Sequence, residues 1–105
     1  MMRKYQIKYL FEYGTGCLWS ADEYTSDRFD WYIDPEKLPL SPETIARIYE
    51  LADWYQSSLN WEYPPDPSPW EREEWDRFNQ AADELFHTLQ MELGEGFAVV
   101  NQQTQ

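Results

Sequence analysis

Ten residues near the start constrain the fold more than any other part of this chain. Between Lys4 and Tyr13, the residues Tyr5, Ile7, Tyr9, Phe11 and Tyr13 take every second position, and Lys4, Gln6, Lys8 and Glu12 take the positions between, with Leu10 the exception. Side chains of an extended chain alternate between two faces, so this pattern predicts a strand with one aromatic face to bury and one polar face to leave in water. Gly14-Thr15-Gly16 follows, a short turn with two residues that tolerate positive φ. Cys17 to Ala21 resumes the alternation, with Cys17, Trp19 and Ala21 on one side. The expected element is a β-hairpin, which is marginal in water until another element covers its apolar face.

Two helices are available as that cover. Ser41-Pro42-Glu43 combines a capping hydroxyl, a proline suited to the first helical position and an acid at the positive end of the dipole. Leu40 and Ile45 are spaced as a hydrophobic staple. Ile45, Ile48, Ala52, Tyr55 and Leu59 form one stripe, so the helix is predicted to run to about Leu59. The stretch from Trp61 to Trp70 contains Pro64, Pro65, Pro67 and Pro69 and reads as a stiff extended connector. Ser68 to Glu71 fits a capping box for a second helix. Its stripe is Trp75, Phe78, Ala82, Leu85, Phe86, Leu89 and Leu93, and Gly94 and Gly96 end it. Phe97 to Val100 reads as a last short strand, and Asn101 to Gln105 as a disordered polar tail.

The acidic segment Asp22 to Leu40 is less regular. Phe29 to Ile33 is long enough for a third short strand, and Asp34-Pro35 and Leu38-Pro39 read as breaks. The expected fold class is α+β: one domain over residues 1–105, in which the N-terminal hairpin and the C-terminal strand form a small antiparallel sheet. A two-helix hairpin packs on its aromatic face.

Charge narrows the function classes. The chain carries 8 basic and 20 acidic residues, a net charge of −12. Arg3, Lys4 and Lys8 precede all the acids, leaving five basic residues against twenty acidic ones from Tyr9 onward. Such a body repels phosphate backbones and anionic lipid, so no nucleic acid and no membrane is expected as a partner. A basic protein would be attracted at long range. With 42% hydrophobic residues the chain is too apolar for intrinsic disorder. The opening Met1-Met2-Arg3-Lys4-Tyr5-Gln6 has no apolar stretch behind it and reads as no signal peptide. The longest apolar run, Phe97 to Val100, is far from the roughly 18 residues of a membrane span. These features point to the cytoplasm.

Little in the chain asks for chemistry. The one cysteine, Cys17, excludes an internal disulfide and a cysteine zinc site. No cationic residue adjoins it to activate the thiol. The one histidine, His87, reads as a helix-flank residue. Glu84-x-x-His87 has the spacing of a di-iron ligand pair, but that site needs a second such pair and carboxylates from two more helices. Asp22, Asp27, Asp30 and Asp34 lack the alternate spacing and the glycine of a calcium loop. No catalytic residue, no metal site and no cofactor is expected.

The aromatic surplus is more informative. Of six Trp, eight Tyr and five Phe, the stripes leave Trp31, Tyr32, Tyr49, Trp54, Trp61, Tyr63 and Trp70 without a place in the core. Trp and Tyr are the usual anchors of protein interfaces, and carboxylates around them suit a surface rich in Arg and Lys. The candidate partner-binding residues are Trp31, Tyr32 and Asp34 in the acidic segment and Trp61, Tyr63 and Asp66 in the connector. The competing reading folds these rings onto the core.

Tyr9-Leu10-Phe11-Glu12-Tyr13-Gly14-Thr15-Gly16-Cys17-Leu18-Trp19-Ser20, with Leu38-Pro39-Leu40-Ser41 and Pro64-Pro65-Asp66-Pro67-Ser68-Pro69-Trp70, resembles small uncharacterised bacterial proteins, a likeness that carries no activity and no site. In size and charge the chain is also similar to the acidic immunity proteins that neutralise bacterial nuclease toxins. The expected function is a non-catalytic acidic protein-binding module, of inhibitor or immunity type, that occludes a basic protein. The alternative is a small-molecule-binding domain or minor enzyme with a pocket between sheet and helices, lined by Tyr9, Phe11, Trp19, Cys17 and His87.

Overall fold

A computed structural model describes residues 3–65 and 67–103. The alternation at the start becomes strand β1, Tyr5–Tyr9, paired antiparallel with β2, Leu18–Ser20. Ile7 and Tyr9 are fully buried, and Phe11 continues the same face beyond the strand. In β2 the buried residues are Leu18 and Ser20. Trp19 pairs with Lys8 and therefore stands on the other face of the sheet.

The acidic segment holds helix α1, Glu23–Phe29, which its charge density concealed. Asp22 caps it, its carboxylate accepting from the Thr25 N–H at 2.9 Å. The buried Thr25 hydroxyl accepts from the Gln6 N–H at 2.7 Å, and the Phe29 ring packs edge-on to Tyr5. Asp30 then takes a positive φ of 70°, a conformation that favours glycine. The predicted third strand is reduced to one bridge: Tyr32 pairs antiparallel with Trp19, and the flanking bonds run from Ser20 N–H to Trp31 C=O and from Ile33 N–H to Leu18 C=O.

Helix α2, Pro42–Gln56, starts where predicted and stops three residues before Leu59. The Ser41 hydroxyl accepts from the Thr44 N–H at 3.2 Å. Helix α3, Arg72–Leu93, buries Phe78, Ala81, Ala82, Leu85, Leu89 and Leu93. Its capping box is absent: the Ser68 hydroxyl accepts from Trp70 N–H at 3.1 Å instead, and Glu71 is the cap residue without a side-chain bond. The serine hydroxyl bonds the backbone two residues on, a local contact that competes with the cap, and the connector predicted to be extended bends over residues 61–65.

The class is α+β as expected, but the sheet is mixed rather than antiparallel. Strand β3, Phe97–Asn101, pairs with β1 in parallel, with Tyr5 opposite Phe97 and Tyr9 opposite Asn101, and the strand order is β2-β1-β3. The helices dictate this direction. The Gln56 amide at the end of α2 holds the β1–β2 turn, accepting from the Gly14 N–H at 2.8 Å and donating to the Glu12 carbonyl at 3.3 Å. Helix α3 then carries the chain back to the Tyr5 end, so β3 must leave from there alongside β1. Asn101 lies in β3, and the buried Gln103 accepts from the Phe11 N–H at 2.9 Å through Oε1. Residues 104 and 105 lie outside the described residues.

One carboxylate locks the two long helices together. Glu92, near the end of α3, accepts from the Ser41 N–H (2.8 Å) and from the hydroxyls of Ser41 (3.2 Å) and Thr44 (2.6 Å). The Ser41 N–H and then the Thr44 hydroxyl are the main causes that hold the carboxyl below the ordinary glutamate range, with desolvation opposing them. A depressed folded-state pKa stabilises above the unfolded value, about 4.3, and that stability is lost as pH falls through the folded value. Glu92→Gln should therefore be less stable than the parent at pH 7. In urea titrations at successive pH values the gap should close as pH falls below about 4. A gap independent of pH would rule this linkage out.

Candidate functional site

The structure sorts the seven rings that helical periodicity leaves unplaced. Trp54 and Trp70 belong to the core edge. Their rings pack at 5.9 Å from each other and at 5.3 and 5.4 Å from Phe78. The Trp54 indole donates to Glu74 Oε2 at 2.6 Å and the Trp70 indole to Ser57 Oγ at 2.9 Å. The Tyr49 hydroxyl donates to the Glu36 carboxylate, 2.6 and 2.7 Å from its oxygens, and that bond pushes its pKa up to about 12. Trp31, Trp61 and Tyr63 are different: they remain 59%, 56% and 58% exposed.

Each of the three is anchored on one side only. Trp31 enters the structure through its backbone carbonyl, which holds Ser20, while its ring points into solvent. The Trp61 indole donates to the Gln56 carbonyl at 2.6 Å and meets the Tyr13 ring edge-on at 6.1 Å. The backbone N–H groups of Glu62 and Tyr63 donate to Asn60 Oδ1 at 3.2 and 3.1 Å, a local turn that aims this part of the connector. Asp34 is exposed and opens a short 3-10 turn, Pro35–Lys37, without a side-chain capping bond. Asp66 lies outside the described residues.

Tyr32 is half-buried. Its ring sits edge-on to Trp19 at 5.2 Å, and its hydroxyl crowds Gly16 so closely that a β-carbon there would stand 2.5 Å away. Burial is the first cause that raises its pKa. Among the described residues, no ring contact or hydrogen bond joins the acidic segment to the connector. They are brought together indirectly, because both touch the β1–β2 turn: Tyr32 at Gly16 and Trp61 at Tyr13. Sequence reasoning missed the residues that make this link. Tyr13, the last of the alternating rings, stacks on Tyr55 at 4.6 Å, and its hydroxyl bonds Ser58 Oγ at 2.7 Å. Trp19 was expected on the core side, yet it lies on the face opposite Leu18.

The residues named for an internal pocket do not surround one. Tyr9, Phe11 and Cys17 are core: the Tyr9 hydroxyl donates to the Ala82 carbonyl at 2.7 Å, and burial pushes both the Tyr9 phenol and the Cys17 thiol far up. Trp19 lies across the sheet, and His87 stands exposed on α3, 3.6 Å from Asp83. Among the described residues no three His, Cys, Asp or Glu side chains are grouped as metal ligands, and no helix is long and apolar enough to cross a membrane.

A family model, that of Serratia CdiI immunity protein-like proteins, matches residues 5–104 of this α+β chain. The chain belongs to the Serratia CdiI immunity protein-like family. No curated protein matches it.

Proposed function

We propose that this chain is an immunity protein that binds a toxin protein and occludes it, with no catalysis of its own. The observation that carries this reading is the exposure of Trp31, Trp61 and Tyr63 while each is tied to the fold, Trp31 by its carbonyl, Trp61 by its indole N–H and Tyr63 by its backbone N–H. Large rings on an ordered backbone lose little entropy on binding, which is why they dominate interface energetics. Family membership supports a toxin as the partner. The net charge of −12, with the exposed Asp34 three residues after Trp31, supports a basic one, drawn in by charge and held by ring and carboxylate contacts. The cytoplasm, where a toxin acts on the cell interior, is the compartment this reading implies.

The test is growth rescue. Candidate toxin domains from the chain's own genome are expressed with and without the chain, and the pair that restores growth is then measured by calorimetry. Trp31→Ala, Trp61→Ala and Tyr63→Ala should each weaken binding about tenfold or more, with Tm changed by no more than a few degrees. Binding should weaken as salt rises. Loss of folding in these variants would place the rings in the core, and binding that strengthens with salt would point to apolar self-association instead.

A further inference from the structure

Helices α1 and α3 pack on the face of the sheet that carries Tyr5, Ile7 and Tyr9, through Phe29 of α1 and through Phe78, Phe86 and the Ala82 carbonyl of α3. The other face is more open, its Val100 being 50% exposed and its Lys8 and Trp19 half-buried. Across it run Tyr32, Trp19, Lys8 and Val100 in successive paired positions. At its upper end, beside the β1–β2 turn, a groove of about 310 Å³ is lined by Lys8, Leu10, Glu12, Tyr13, Thr15 and Trp19. The Trp19 indole donates to the Leu10 carbonyl at 2.9 Å, which lays the ring along the groove. Tyr32 abuts Trp19 on one flank, and Trp61 abuts Tyr13 on the other. The groove therefore lies between the two halves of the candidate interface.

We infer that this groove takes an arginine side chain of the partner protein. The inference rests on the proposed function, since it names what the toxin places there. Two aromatic residues offer a surface over which a guanidinium stem can lie. Glu12 is exposed, and among the described residues its carboxylate forms no ion pair. Lys8 is four residues away, about 13 Å of extended chain, so the groove is negative at its turn end and positive at its sheet end. A long cationic side chain fits with its charge at Glu12 and its stem over Trp19, and the reverse orientation meets Lys8. The strongly acidic field of the whole molecule favours the same sign of ligand.

The first experiment needs no toxin. The full chain labelled with nitrogen-15 is titrated with N-acetyl-arginine amide, with the neutral isostere N-acetyl-citrulline amide as control. Saturable shifts of the Trp19 indole N–H and of the Glu12 and Thr15 amides with arginine, at least fivefold weaker with citrulline and in Glu12→Gln, are the expected result. Equal responses to both probes, or shifts confined to other surfaces, would overturn the inference. In the toxin complex, Glu12→Gln and Thr15→Lys should each weaken binding about tenfold, because one removes the counter-charge and the other sets a like charge at the rim. If those two variants bind normally while Trp31→Ala and Trp61→Ala do not, the groove assignment falls and the immunity reading stands. If arginine binds the groove but no toxin is neutralised, the groove stands and the immunity reading falls.

Discussion

Phe78→Ala should cost about 3–5 kcal/mol of folding stability, the range for deleting a large buried ring. Phe78 has no exposed surface and lies among four other rings: Phe11 at 5.2 Å, Trp54 at 5.3 Å, Trp70 at 5.4 Å and Tyr55 at 5.5 Å. These four come from the sheet face, from α2 and from the end of the proline connector. They cannot close together over the space, because Trp54 and Trp70 are tied by their indole N–H groups to Glu74 and Ser57. The cavity therefore persists, and its cost adds to the lost transfer energy. Urea unfolding followed by tryptophan fluorescence measures the loss. A change under about 1 kcal/mol would mean that the rings repack, contrary to the anchoring described above.

Gly16→Ala should destabilise the chain by about 1–3 kcal/mol through overpacking, and on the proposed function should also weaken binding of the partner by displacing Tyr32. The new methyl would stand 2.5 Å from the Tyr32 hydroxyl oxygen and 3.2 Å from two of its ring carbons. Tyr32 is held by backbone bonds on both sides and by the edge of Trp19, so the clash is not relieved by a free swing of the ring. Tyr32→Phe in the same background removes the nearest atom and should recover part of the loss. A double-mutant cycle reads that coupling directly. Strict additivity of the two substitutions would show that Tyr32 does not press on the turn.

Much of the fold was legible because its signals are local. The alternation from Tyr5 to Tyr13 reports one half-buried strand, and Phe78, Ala82, Leu85, Leu89 and Leu93 report one helical stripe. Ser41 caps α2 through contacts only three residues long. The signal for α1 was also local, Asp22 capping three residues ahead of Thr25, but it lay within a run of carboxylates that reads equally well as a solvated loop. The candidate site was legible only as a set of unplaced rings. Trp54 and Trp61 both lie off a helical stripe, and composition does not tell them apart. One is packed against Phe78, and the other is exposed because the connector turns at Asn60.

The sequence by itself determined the strands β1 and β3, the two long helices, the apolar faces of β1 and α3, the acidic surplus and the excess of rings. Each of these follows from the identity and spacing of residues close in the chain. Only the tertiary structure decided that β3 runs parallel to β1, that Glu92 closes on Ser41 from 51 positions away, that Gln103 completes the sheet at Phe11, and that Tyr32 and Trp61 meet the same turn. Those outcomes depend on where two helices return the chain, and local periodicity carries no record of direction in space.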